Sequence, residues 1–386
     1  MKVPFFKGEL IRRGTLVLLA TLFASIIAFL ANLAISNILG PKSFGDFRTI
    51  VYLFAFIPML VDLGINASLT KYIAEFGEGR IKETRHLVKW FLGIKLASFA
   101  AIILATFLFR DSIALYFLKD TSLNYLIPAG IFLLAMTFFS VFNFIILGFQ
   151  NFKLFSFSQF LSSASAALLA ILLSPLGIFY MILGWSLGPL IGNILNIYYL
   201  LKRKVFSSSI PTDVKKIFRR FSLPVYPVEL ATSLSNAIIP LLSLFFSQIL
   251  VGYYSFAFMF YLAALLIPSA LSTVIFPKVS ELNGLKNYDH AKNILRKVFT
   301  YYTLVVIAGL VFVFLFSEQF ISLVAKQYLP SLLIFRVLVS LGLVFGYVMI
   351  YANYLKGLGR VRRYALFTLA QNLILIIISF MLVSIK

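Results

Sequence analysis

The chain has no cysteine and only two histidines among its 386 residues. The first absence removes disulfides, thiolate metal sites and cysteine nucleophiles together. With His86 and His290 both in polar loops, a histidine metal site has no basis either. Charge is scarce: 12% of residues are Asp, Glu, Lys or Arg, where a water-soluble domain carries about 25%. Acidic residues are scarcest, 13 against 34 Lys and Arg. No polar stretch is long enough for a second, soluble domain; the longest run over 66–87, 202–217 and 277–297. Walker and dinucleotide-binding glycine patterns are missing, which argues against nucleotide hydrolysis by this chain.

What remains is apolar. Hydrophobic residues make up 61% of the chain, in uninterrupted runs of ~20 residues, each able to cross a ~30 Å hydrocarbon core as a helix. Uninterrupted runs exclude the alternating segments of an outer-membrane barrel. Eleven spans are predicted, at 14–38, 47–65, 88–109, 125–148, 154–174, 177–200, 221–249, 253–276, 298–316, 331–355 and 364–385. The first run exceeds the ~7–15-residue apolar core of a cleaved signal peptide and reads as a retained span. The expected fold class is an all-α polytopic membrane protein. With the amino terminus inside, 26 of the 34 Lys and Arg fall in inner segments and six in outer ones. That asymmetry predicts a plasma-membrane protein with a cytoplasmic amino terminus and residue 386 outside. It also explains the net charge of +21 without nucleic acid, which is not an expected partner.

The chain repeats itself. An offset of 207 residues maps Arg12-Arg13 onto Arg219-Arg220, Gly45 onto Gly252, Lys71 onto Lys278, Gly77 onto Gly284 and Phe107-Leu108-Phe109 onto Phe314-Leu315-Phe316. After a two-residue insertion, Leu147-Gly148-Phe149-Gln150 matches Lys356-Gly357-Leu358-Gly359. Six spans separate the copies, an even number, so both enter the membrane in the same direction. The expectation is two parallel-repeat lobes around a central cavity: 1–201 with six spans, a cytoplasmic linker at 202–217, and 218–386 with five.

Three local patterns carry a resemblance. Ile38-Leu39-Gly40-Pro41-Lys42-Ser43-Phe44-Gly45-Asp46-Phe47 looks like a turn between spans 1 and 2, Asp62-Leu63-Gly64 like an Asp-x-Gly in span 2, and the glycine turns at Gly148 and Gly357 like those after spans 4 and 10. In this order they resemble the polysaccharide-export branch of the multidrug/oligosaccharidyl-lipid/polysaccharide exporter superfamily. Members usually have twelve or more spans, one more than here. The resemblance implies a flippase that carries a polyprenyl-linked saccharide across the bilayer, with cavity cations on its pyrophosphate and an ion gradient resetting the cycle. It implies no enzyme activity and no cofactor beyond a coupling Na+ or H+. The expected partners are the lipid-linked saccharide, membrane lipids and other polysaccharide-assembly proteins.

Ionisable groups inside spans cost about 2.5–3.5 kcal/mol each at the centre, so they are the leading candidates. Glu229 lies nine residues after Arg220, roughly 13 Å along a helix and near mid-membrane, too deep for a short side chain to reach water. Pro224 and Pro227 precede it and bend the helix. It is the expected ion-coupling group, with Asp62, Gln371 and Asn372 as further members. For Asp62 and Lys95, at similar depth, a helix-locking ion pair and a substrate contact are both open. Arg48, at the outer start of span 2, is placed in the cavity by the resemblance; an interfacial anchor is the alternative. Arg336 either reaches outward to water or faces the cavity. Arg13 and Arg220, repeat mates, would gather an anionic head group at the inner mouth or merely set topology. Asn236 is the favoured amide for sugar hydroxyls because it sits on the bent span. Other readings are a cation-coupled drug exporter and a membrane glycosyltransferase or polymerase on the same lipid carrier. The drug exporter would resemble families with an acidic residue in span 1, which is lacking here. The enzyme would need acidic groups on a sizeable external loop.

Overall fold

In hydrocarbon no water satisfies a peptide N–H or C=O, so apolar runs must close their backbone bonds within helices. The computed structural model describes residues 5–119 and 125–385, with side chains described except at 5–20, 78 and 277, and among the described residues no strand occurs. The helices are α1 (Phe5–Leu60), α2 (Ile65–Phe76), α3 (Ile81–Leu108), α4 (Arg110–Ile113), α5 (Leu126–Gly148), α6 (Phe152–Leu173), α7 (Ile178–Lys202), α8 (Val214–Ile217), α9 (Leu223–Ser233), α10 (Ile238–Phe245), α11 (Gln248–Ala264), α12 (Leu266–Gly284), α13 (Tyr288–Ala325), α14 (Leu332–Gly357) and α15 (Val361–Ser384).

Among the described residues, nine helical segments are long and apolar enough to cross a bilayer. Two are double. Thr21–Leu60 is interrupted at Gly40, whose φ of 72° and ψ of 172° are not helical. Tyr288–Gly357 contains α13 and α14, joined by the 3₁₀ turn Lys326–Ser331. The nine segments therefore accommodate the eleven expected spans.

The polar stretches differ from the expectation of loops. Most of 66–87 is α2 and the start of α3, and 277–297 belongs largely to α12 and α13. Lys, Arg and Glu are good helix formers. A helix leaving the hydrocarbon has no reason to stop there, and only the polarity changes.

The repeat is visible in the backbone. After α5, the amides of Phe149, Gln150 and Asn151 donate to the carbonyls of Ile145, Leu147 and Ile146. After α14, those of Leu358, Gly359 and Arg360 donate to Tyr354, Lys356 and Leu355 in the same pattern. Both turns close with a left-handed residue, Gln150 and Gly359.

Packing divides the chain into two compact units: Met1–Ala31 with Ile50–Leu230, and Asn32–Thr49 with Ala231–Lys386. The core of the first includes Leu69, Ile73, Phe91, Val141, Ile145 and Val214. That of the second includes Ile275, Val279, Tyr302, Val306 and Ile350. Inside the second unit, Gly45 and its repeat mate Gly252 make reciprocal contacts. A Cβ on Gly45 would lie 2.0 Å from the Gln248 carbonyl oxygen, and one on Gly252 would lie 1.8 Å from that of Pro41. Pro41 and Gln248 are themselves 207 residues apart. A contact whose two sides exchange under the repeat is what a twofold axis through it generates.

Candidate functional site

The break in span 2 organises the site. Helix α1 ends at Leu60 and α2 begins at Ile65. Between them Leu63 and Gly64 take φ of 54° and 72°, two successive left-handed residues. The Asp62 carbonyl accepts from the Ile65 amide at 3.0 Å. Its carboxylate accepts from the Asn66 amide at 3.4 Å, an acidic group at the start of a helix where the dipole favours it. The Leu60 carbonyl, freed by the break, accepts from the Tyr226 hydroxyl. Gly64 is required by space as well as by φ: a Cβ there would lie 2.2 Å from the Ser222 carbonyl oxygen. One turn on, the hydroxyls of Ser68 and Ser222 share a hydrogen bond of 2.6 Å.

The partner of this break is itself irregular. Span 7 begins with α8, passes through a π turn at Phe218–Ser222, continues as α9 with Pro227 inside, then as a 3₁₀ turn at Leu234–Ala237 and α10. Irregular turns stand on both sides of the stretch where a bend was expected. A proline removes an amide donor from the helical ladder, and a π turn redirects the residues that follow. The π turn leaves Arg219 and Arg220 exposed and buries Ser222 against Gly64.

An ion pair stands here, with a third ionisable group within electrostatic reach. Lys95, on α3 and 4% exposed, pairs its Nζ with Asp62 Oδ1. Glu229, on α9, is half-buried, and both Asp62 and Lys95 act electrostatically on its carboxylate. Two carboxylates and one ammonium thus gather where a broken span 2, span 3 and a bent span 7 pack together. A charge-balanced pair inside a membrane span is tolerable, and a third group beside it makes the balance sensitive to one added cation.

The remaining predicted residues lie elsewhere. Arg48 is 5% exposed; its Nη1 donates to Asn32 Oδ1 at 2.8 Å and its guanidinium lies 5.8 Å from the Phe44 ring centroid. Arg336 donates from Nε to Ser317 Oγ at 2.9 Å. Asn372 donates to the Ala231 carbonyl at 2.7 Å, and it and Gln371 lie in the second unit. Asn236 is half-buried in the 3₁₀ turn of span 7. The Arg13 side chain lies outside the described residues. Sequence reasoning missed Tyr226 and Ser222. Their signal was position: the one lies between two prolines, the other in the turn that precedes them.

The fold matches solved membrane proteins. An inward-facing multidrug resistance MATE family transporter of the MOP superfamily superposes with a TM-score of 0.78 at 15% identity, over 91% of this chain and 84% of that one. Lipid II flippase MurJ in an inward closed conformation superposes at 0.72 and 17% identity, over 96% and 86%. No curated protein matches by sequence. The chain therefore shares the fold of these two membrane proteins. It belongs to the polysaccharide biosynthesis protein family, whose profile matches residues 10–283.

Proposed function

We propose that this chain is a flippase that moves a polyprenyl-(pyro)phosphate-linked oligosaccharide from the cytoplasmic to the outer leaflet by alternating access, driven by a Na+ or H+ gradient. The observation that carries the coupling is the Asp62–Lys95 pair with Glu229 beside it, held where two irregular spans pack. A group that gains or loses a cation at a helix break can change how that helix packs. The family membership and the basic inner segments support an anionic, saccharide-bearing substrate. Transport, rather than chemistry on the sugar, fits the short external loops. In this reading the amino terminus lies in the cytoplasm and residue 386 outside, as the basic inner segments favour.

The division of labour follows from the contacts. Arg220, exposed beside the π turn, attracts the head group at the inner mouth, and Arg13 is its repeat mate. Asn236 offers an amide to sugar hydroxyls. Arg48 and Arg336 are tied to Asn32 and Ser317, and they reach a head group only by exchanging those partners. In proteoliposomes, an external probe such as a lectin should capture a lipid-linked saccharide supplied from inside only when the protein and an ion gradient are both present. Equal capture without the protein refutes the flippase. The Glu229→Gln variant should retain a gradient-independent residue of transport; wild-type ion dependence in it refutes the coupling role.

A further inference from the structure

Helix α13 is 38 residues long, roughly 57 Å at ~1.5 Å per residue, far more than a bilayer core needs. Its charge pattern marks where the core lies. Between Lys297 and Glu318 there are 20 residues without a charge, about 30 Å of helix and the thickness of the hydrocarbon. Arg296 and Lys297 therefore stand at headgroup level. A recess of about 400 Å³ opens there, lined by His290, Asn293, Ile294, Arg296, Lys297 and Thr300.

Below the recess runs an apolar stripe. Lys297, Thr300, Leu304, Ile307, Val311 and Phe314 follow one another at alternating steps of three and four, so they share one face. The four apolar members are exposed, from 48% at Val311 to 63% at Leu304. A basic recess thus sits directly above a line of open hydrocarbon-contacting side chains.

The repeat shows what that face needs. Lys292, Asn293 and Arg296 are the repeat mates of Arg85, His86 and Lys89. In the first half each of those three hydrogen-bonds the chain's own linker. Lys89 Nζ donates to the Ser207 carbonyl at 2.7 Å, Arg85 Nη1 donates to that of Ser208 at 3.2 Å, and His86 Nδ1 accepts from the Thr212 amide at 3.2 Å. Among the described residues no segment covers the equivalent face of α13, and Lys292, Asn293 and Arg296 are exposed. The first half supplies carbonyl oxygens to these cations. The second half leaves the same place open toward lipid.

We propose that the recess on α13 binds the phosphate headgroup of an anionic phospholipid, whose acyl chain lies along the Leu304–Ile307–Val311–Phe314 stripe. Phosphate oxygens take the place that linker carbonyls hold in the first half. Basic residues at an anionic leaflet and an apolar stripe below them match such a lipid in both of its parts. The site is independent of the transported substrate and does not rest on the flippase reading.

The test uses full-length protein drawn from vesicles of phosphatidylglycerol and phosphatidylcholine in equal parts, with bound lipid counted by native mass spectrometry. Phosphatidylglycerol should be retained in preference, and Arg296→Ala/Lys297→Ala should weaken its retention on the order of tenfold. The pair Lys215→Ala/Lys216→Ala, exposed and basic on α8, should leave it unchanged. Equal loss in both variants, no headgroup preference, or displacement by inorganic phosphate alone would overturn the proposal. As a check that needs no variant, a photoactivatable phosphatidylglycerol should label the first three turns of α13 in the wild-type protein. Labelling confined to other helices would count against the site.

Discussion

At the scale of single residues, the charge cluster keeps Asp62 with Glu229, as expected, and adds Lys95 in place of Gln371 and Asn372. Asp62 and Lys95 were readable as a pair because their depths match in adjacent spans. Glu229 was readable as costly because no short carboxylate reaches water from mid-span. That all three share one place was not readable, since depth fixes height in the membrane but not azimuth around a helix. The pair makes a sharp prediction. Removing one partner leaves a buried charge alone, at a cost of about 3–5 kcal/mol, whereas removing both is often near neutral. Lys95→Met should therefore lower the melting temperature in detergent well below wild type. Asp62→Asn/Lys95→Met, which keeps an acceptor for the Asn66 amide, should recover most of it. If single and double variants melt alike, the pair does not hold the helices together, and the substrate-contact reading of Lys95 gains instead. Arg48 teaches the complementary lesson. Its partner Asn32 lies 16 residues away, across the Gly40 interruption, and no periodicity links them.

At the scale of elements, the irregular segments carry the site. Proline marked span 7 in advance, whereas Asp62-Leu63-Gly64 stood out only as a motif in an unbroken span 2 and the break there was not foreseen. The π turn at Phe218–Ser222 carries neither proline nor glycine and gave no sign. The polar ends of α2, α12 and α13 were misread as loops for a physical reason: polarity reports solvent, not backbone conformation. The break in span 2 can be tested against a second left-handed glycine without crowding. Gly64 and Gly359 have φ of 72° and 76°, yet a Cβ on Gly359 meets nothing within 4 Å. The left-handed backbone alone costs about 1–2 kcal/mol in each Gly→Ala variant. Overpacking against the Ser222 carbonyl adds about 1–3 kcal/mol more at Gly64 only. Gly64→Ala should thus melt below Gly359→Ala and lose transport, while Gly359→Ala keeps it. Equal melting temperatures would mean that the close approach of spans 2 and 7 yields easily and does not position the cluster.

At the scale of the whole molecule, the repeat and the charge asymmetry constrain each other. Six spans between the copies require both to start on the same face, and both starts are basic, Arg12-Arg13 and Arg219-Arg220. Each Lys or Arg near an anionic leaflet contributes about 1 kcal/mol before screening. Twenty-six against six is thus a large bias toward one orientation, even after most of it is screened away. Eleven crossings would be an odd number and would put the two ends on opposite sides. Alkaline phosphatase, active only outside, should therefore be active when fused after Lys386 and silent when inserted in the polar turn between α7 and α8. A fluorescent protein that matures only inside should report the reverse. Two silent phosphatase fusions would put residue 386 on the inner side. One of the five crossings after that turn would then be missing, most simply in Tyr288–Gly357, and the second half would not span as its helices allow, while the parity between the two repeat starts would stand.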